Sequence, residues 1–169
     1  MKTLYLIRHA KSSWDAPELD DFERPLNKRG KKDAPAMANR LKERQKTPDF
    51  MITSPATRAY DTCKEFAKIL DYDKEKIKTE KRLYHATEDQ FLTVIRELKD
   101  RENDDDEVVL LFGHNPGLTE FVNLLLKENI DNIPTCGIVK ANLKIDRWKD
   151  AQSGCGELEF FDFPKNKEA

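Results

Sequence analysis

Leu4-Tyr5-Leu6-Ile7-Arg8-His9-Ala10-Lys11-Ser12-Ser13-Trp14 begins as an apolar, strand-like run and stops at an Arg-His pair. Two side chains suited to phosphate therefore sit where a buried strand surfaces, which is where α/β proteins place their sites. A second run, Val108-Val109-Leu110-Leu111-Phe112, is continuous and β-rich, as a parallel strand buried on both faces should be, and it ends in Gly113-His114-Asn115-Pro116-Gly117. Between them Phe50-Met51-Ile52-Thr53 reads as a short buried strand that also finishes at a polar tip, Ser54-Pro55.

Helical patterns separate these strands. Asn27 is a candidate N-cap for a helix with Ala34, Met37, Ala38 and Leu41 on its apolar face, and Pro35 is expected to kink it. Ser54 and Pro55 read as N-cap and first helical residue of a helix with Tyr60, Cys63, Phe66, Ala67 and Leu70 inward and Arg58 in its first turn. Residues 77–83 read as an extended segment, 90–98 as a helix, and Asn115-Pro116 as the start of a helix carrying Leu118, Phe121, Val122 and Leu125. Ile138 to Ile145 and Gly156 to Phe163 alternate with a period near two and form a closing antiparallel hairpin, with a turn at 150–154. The resulting order, β-α-β-α-β-α-β-α-β-β, predicts a three-layer α/β/α fold with a mostly parallel central sheet. A single domain over 1–164 with a frayed tail at 165–169 is expected.

Composition narrows the function classes. The 169 residues are 37% charged, but 30 basic against 32 acidic side chains leave a net charge of −2, so no basic field points to nucleic acid. No apolar run approaches the roughly 18 to 20 residues of a membrane span, and the N-terminal segment lacks the pattern of a secretory signal, so a cytoplasmic protein is expected. Cys63, Cys136 and Cys155 lack C-x-x-C spacing and suggest neither a disulfide framework nor zinc. The run Asp104-Asp105-Asp106-Glu107 reads as a solvated turn rather than a metal site. The polar loop from Lys11 to Pro25 has the length of a functional loop, with Trp14 and Phe22 as its large apolar anchors.

In a wound parallel sheet the carboxyl ends of neighbouring strands converge, so Arg8, His9, Arg58 and His114 should meet in one crevice. Two arginines and two histidines make a phosphoryl site without a metal, because guanidinium groups bind phosphate oxygens bidentately and remain charged. Helix N-termini near Ser54 and Asn115 would add backbone N–H groups. Singly, each residue has a bland reading as a surface ion pair, structural histidine or cap. Together they favour a phosphate site.

Leu6-Ile7-Arg8-His9-Ala10, Ser54-Pro55-Ala56-Thr57-Arg58-Ala59 and Gly113-His114-Asn115-Pro116-Gly117 resemble the histidine phosphatase (phosphoglycerate mutase-like) superfamily. Lys11 to Trp14 with Arg24-Pro25-Leu26-Asn27-Lys28-Arg29-Gly30 resembles its SixA-type phosphohistidine phosphatase branch. The resemblance implies a phosphoglycerate mutase-like fold. It also implies a metal- and cofactor-independent phosphatase in which His9 attacks phosphorus to form a phosphohistidine intermediate, while Arg8, Arg58 and His114 hold the phosphoryl group. Ser12 and Asn115 are candidate substrate contacts, and Lys11 could also touch substrate or serve only the turn.

Mutase-like members carry a glutamate after the third strand region, whereas this chain reads Arg82-Leu83-Tyr84-His85-Ala86 there. Asp21, as in SixA-type proteins, is the candidate general acid, unless it simply pairs with Arg24; Glu80 and Glu88 are further carboxylates. Trp14, Tyr84 and His85 read as packing or rim residues. Phosphohistidine suits a weak acid, since imidazole leaves more readily than an alkoxide. The short span between Arg58 and His114 leaves the site uncovered enough for a phosphate borne on a protein. The readings carried forward are a phosphohistidine phosphatase acting on a phosphoprotein, a phosphomonoesterase on small esters, and a non-catalytic phosphate- or phosphopeptide-binding module; neither nucleic acid nor a membrane is an expected partner.

Overall fold

The computed structural model describes residues 1–102 and 106–166. Ten principal elements follow the expected order: β1 (Lys2–Arg8), α1 (Lys28–Lys42), β2 (Phe50–Thr53), α2 (Thr57–Ile69), β3 (Lys78–Thr79), α3 (Glu88–Arg96), β4 (Glu107–Gly113), α4 (Gly117–Leu126), β5 (Ile138–Leu143) and β6 (Gly156–Asp162). They build one six-stranded sheet in the order β3-β2-β4-β1-β5-β6. The first four are mutually parallel, and β5 and β6 close the edge antiparallel. The architecture is thus the three-layer α/β/α arrangement of phosphoglycerate mutase-like proteins.

The layers follow from side-chain alternation along β1. Leu4 and Leu6 pack with Ile52, Phe91, Val94, Leu118 and Phe121 on the α3/α4 face. Tyr5 and Ile7 pack with Met37, Leu41, Met51 and Phe66 on the α1/α2 face. Successive residues of a strand point to opposite sides, so a strand buried on both faces needs apolar side chains throughout. Asn27 caps α1 as expected, its side chain accepting from the Gly30 amide at 2.8 Å, and the helix runs unbroken through Pro35. No helix among the described residues is long and apolar enough to cross a membrane, and Cys63, Cys136 and Cys155 are free.

Several local expectations are corrected. The helix expected to start at Pro55 starts at Thr57, because Ser54 Oγ accepts from the Ala56 amide in a tight local turn that delays the helix. Asn115 caps α4 from one position further out than expected, accepting from the Thr119 amide while Pro116 holds the N-cap position. The extended segment at 77–83 shortens to the two residues of β3 and then tightens into a 3₁₀ turn at Lys81–Leu83. Trp14 is 71% exposed rather than anchored, since its ring face is covered by the Arg24 guanidinium, 3.5 Å from the ring centroid. Phe22 is likewise exposed and meets Tyr84 edge-on.

Of the acidic run, Asp104 and Asp105 lie outside the described residues. Glu107 is no solvated turn residue: it is buried in the first position of β4 and accepts from the Lys2 ammonium at 2.6 Å. In the expected tail, Asn166 bonds back to Asp162, and 167–169 lie outside the described residues. Loss of Glu107 would leave the buried Lys2 ammonium with the partly exposed Asp100 carboxylate, 3.1 Å away, in place of its buried partner. Glu107→Ala is therefore expected to lower stability by about 3 kcal/mol, measured by equilibrium urea unfolding, and a loss below about 1 kcal/mol would contradict it.

Candidate active site

The carboxyl ends of β1, β2 and β4 open onto one cleft of about 300 Å³. Arg8 and Gly113 are paired partners at the ends of β1 and β4, so His9 and His114 emerge side by side with ring centroids 5.1 Å apart. The next turn of backbone is held on both sides: the His9 amide donates to the Gly113 carbonyl, and the His9 carbonyl accepts from the Cys136 amide. Arg58 enters from the first turn of α2 and is buried. All seven site residues expected from the sequence, Arg8, His9, Ser12, Asp21, Arg58, His114 and Asn115, line this cleft. Glu80 and Glu88 do not; Glu80 caps the 3₁₀ turn at Lys81–Leu83 and pairs with Arg82.

The chemistry of His9 is set by its neighbours. Its Nδ1 lies 2.7 Å from the Ala10 carbonyl, which can only accept, so the proton resides on Nδ1 and the Nε2 lone pair is free. Burial drives its pKa down to about 3, opposed by the Ala10 hydrogen bond and reinforced by Arg58, Arg8 and Arg24. A neutral imidazole with a free Nε2 is a nucleophile. Ala10 itself is fixed by Thr62, whose Oγ1 accepts from the Ala10 amide at 3.0 Å and donates to the Arg58 carbonyl at 2.7 Å. One hydroxyl thereby ties the loop that bears His9 to the helix that carries Arg58.

His114 is also held neutral, by burial first and then by His9, Arg58 and His85, with Asp21 opposing. Its Nε2 lies 2.8 Å from Ser54 Oγ. The Ser54 hydroxyl, which accepts from the Ala56 amide, can give its own proton to Nε2, and in that tautomer the imidazole proton is on Nδ1. Nδ1 of His114, Nε of Arg8 and Nε of Arg58 are all buried without a hydrogen-bond partner. Buried unsatisfied donors are uncommon and costly, and here three belong to residues lining one cleft. An oxyanion would satisfy them.

Asp21 is already engaged. Its carboxylate accepts from Arg24 Nη2 and Arg58 Nη2, each at 3.0 Å, and from the Tyr84 hydroxyl at 2.6 Å. Burial alone would raise its pKa, but the bonds from Tyr84, Arg58 and Arg24 prevail and hold it well below the usual carboxylate range. A carboxylate so held favours its anionic form. Ser12 Oγ accepts from Arg24 Nη1 at 2.7 Å and so orients that guanidinium. Asn115 spends its amide on Asn132 and Ile133 and its oxygen on Thr119, and Ile133 also receives Arg8 Nη1.

Sequence reasoning missed the roles of Arg24, Ser54 and Thr62. The Asp21–Arg24 spacing hinted at the first, whereas nothing local marks the other two. Among the described residues no group of three or more His, Cys, Asp or Glu side chains is arranged to hold a metal ion.

Known proteins share this fold and part of this sequence. The model of the histidine phosphatase superfamily (branch 1) matches residues 4–86, the segment that carries Arg8, His9 and Arg58. A structure from Agrobacterium tumefaciens described as the phosphohistidine phosphatase SixA superposes with a TM-score of 0.78 at 26% identity, over 96% of this chain and 97% of that one. The match over residues 4–86 and this superposition tie the chain to the histidine phosphatase superfamily by likeness. The protein histidine phosphatase SixA in complex with tungstate shares the fold, with a TM-score of 0.78 at 22% identity over 95% of this chain and 96% of that one. A Mycobacterium tuberculosis protein is 29% identical over 94% of this chain and all of its own length. A chloroplastic protein of Arabidopsis thaliana is 28% identical over 89% of this chain and 70% of its own length. These likenesses support general phosphatase activity.

The depressed histidine basicity is directly measurable. With the His9 pKa near 3 and that of His114 lowered as well, both rings should stay neutral as pH is lowered from 8 to 5. Ring resonances followed by NMR are expected to show no inflection for these two residues in that window. A midpoint near the ordinary 6.5 for His9 would refute the electrostatic account.

Proposed function

We propose that the protein is a phosphatase acting through a phosphohistidine intermediate on His9, with phosphohistidine borne on a protein as its substrate. The observation that carries this is the Nδ1–H bond from His9 to the Ala10 carbonyl, which leaves a neutral Nε2 lone pair in a cleft with Arg8, Arg58 and His114. Nε2 attacks phosphorus, the guanidinium groups and the His114 Nδ1–H take the developing charge on the phosphoryl oxygens, and the leaving group departs. Water then attacks phosphorus from the side vacated. The Nε2–P bond breaks, and its electron pair returns to an imidazole that kept its Nδ1 proton throughout. The Ala10 carbonyl supports both steps by accepting that proton's hydrogen bond.

A protein-borne substrate fits the openness of the site. Between the end of α2 and the start of β4 the described residues supply the two-residue β3, short turns and the nine-residue α3, and among them no lid encloses a small metabolite. The likeness to the A. tumefaciens protein described as a phosphohistidine phosphatase supports the same choice. Small phosphate esters are the competing substrates, and retained phosphate binding with no turnover would instead favour a binding module.

The decisive assay uses a phosphohistidine-bearing protein and a panel of phosphate esters, with and without EDTA. Turnover is expected to be highest on the phosphohistidine protein and unaffected by EDTA, and a ³²P-labelled acid-labile intermediate should form in the wild type but not in His9→Ala. Undiminished turnover in His9→Ala would overturn the nucleophile assignment. Arg58→Ala is expected to lower kcat by about 10²–10³, as loss of a preorganised donor to developing charge does.

A further inference from the structure

The described mechanism leaves the leaving group without a proton donor. All three histidines of the chain line the same cleft, yet the mechanism uses only two. His9 lies on the floor, 7% exposed, whereas the side chain of His85 is 65% exposed at the mouth. An in-line attack by His9 from the floor expels the leaving group toward the mouth. His85 Nε2 lies 3.7 Å from Asp21 Oδ2, and its ring lies tilted against Tyr84 with centroids 3.9 Å apart and stands 6.4 Å from His114.

The backbone is committed to this placement. His85 has φ +58°, a left-handed conformation that few residues other than glycine adopt, and such outliers persist where surrounding structure enforces them. The next residue supplies the enforcement. The first residue of α4, Gly117, lies against the Ala86 carbonyl so closely that a Cβ there would collide with it. The turn bearing His85 is thus fixed against the helix that follows His114.

We propose that His85 is a catalytic residue, the general acid that protonates the leaving group, with the Asp21 carboxylate beside its ring. The inference rests on the phosphatase reading given above. Several other protic groups around His85 are committed elsewhere. Asp21 is held as an anion, and Tyr84 gives its hydroxyl proton to Asp21, with burial and that contact raising its pKa. The arginines do not give up protons, and His114 is held neutral. Imidazole is the side chain that trades protons near neutral pH.

In the first step the His9 Nε2–P bond forms and the bond from phosphorus to the departing nitrogen breaks. The electron pair goes to that nitrogen, which takes the proton from His85 Nε2. In the second step the neutral His85 receives a proton from the attacking water as the P–Nε2 bond of His9 breaks. The sum is substrate plus water giving free histidine side chain and phosphate, with His85 restored.

The test compares a phosphohistidine peptide, whose imidazole must be protonated to depart, with p-nitrophenyl phosphate, whose leaving group departs as an anion. His85→Gln is expected to slow the peptide about a hundredfold, the low end of what general acid catalysis contributes, and p-nitrophenyl phosphate only severalfold. Imidazole added to His85→Ala should restore peptide turnover in a concentration-dependent way. Equal losses on both substrates, an unchanged peptide rate, or no rescue would overturn the role of His85 while the wild-type phosphoenzyme burst still upheld the phosphatase. If the wild type turns over the peptide alone, the rescue decides. A wild type with no burst on either substrate would overturn both.

Discussion

The in-register parallel pairing of β1 with β4 is the constraint on which the site depends. Arg8 faces Gly113 at the last rung, and the His9 amide extends the ladder by one further bond to the Gly113 carbonyl. The two strands therefore end abreast, and their next side chains, His9 and His114, are forced into contact at the floor of the cleft. A slip of one residue would turn every inward side chain of β1 to the opposite layer, exchanging Leu4 and Leu6 with Tyr5 and Ile7. Register and core composition hence protect the same geometry.

Around this floor the loops are pinned by contacts that tolerate little variation. A Cβ on Gly30 would meet the Lys11 carbonyl, so α1 can close against the loop after β1 only with glycine there. Thr62 ties Ala10 to Arg58, and Ser12 with Asp21 fixes Arg24. Preorganisation of this kind spares the site the cost of ordering its charged side chains when an anion arrives. It also accounts for the depressed basicity of both floor histidines, since burial and fixed guanidinium groups act in the same direction.

Much of this was legible in the sequence because it is encoded locally. The apolar runs of β1, β2 and β4, the Asn27 cap and the alternation of β5 and β6 each leave a pattern within a few residues. Convergence of Arg8, His9, Arg58 and His114 followed from the rule that neighbouring parallel strands end together. What escaped depends on contacts between distant segments. Glu107 looked like the end of an acidic turn, but its partner Lys2 lies on the neighbouring strand. Trp14 looked like a core anchor, but Arg24 offered it a flat cationic face at the surface. Ser54 looked like a helix cap, but the turn it forms with Ala56 aims its hydroxyl at His114. Asp21 looked like an acid on resemblance, and only the joint presence of Arg24, Arg58 and Tyr84 makes it a fixed anion.

The contact between Asp21 and Arg58 has a bearing on turnover. The guanidinium that would grip a phosphoryl group is already shared with an internal carboxylate, and Arg58 also donates to the Asp21 carbonyl at 2.6 Å. Any incoming oxyanion competes with this built-in rival, and the penalty falls on inorganic phosphate as much as on substrate. A substrate with a protein attached can offset it through contacts beyond the cleft, whereas free phosphate has none. The same carboxylate that weakens the grip on every anion thereby favours release of the product and keeps the pocket from being clogged by its own reaction.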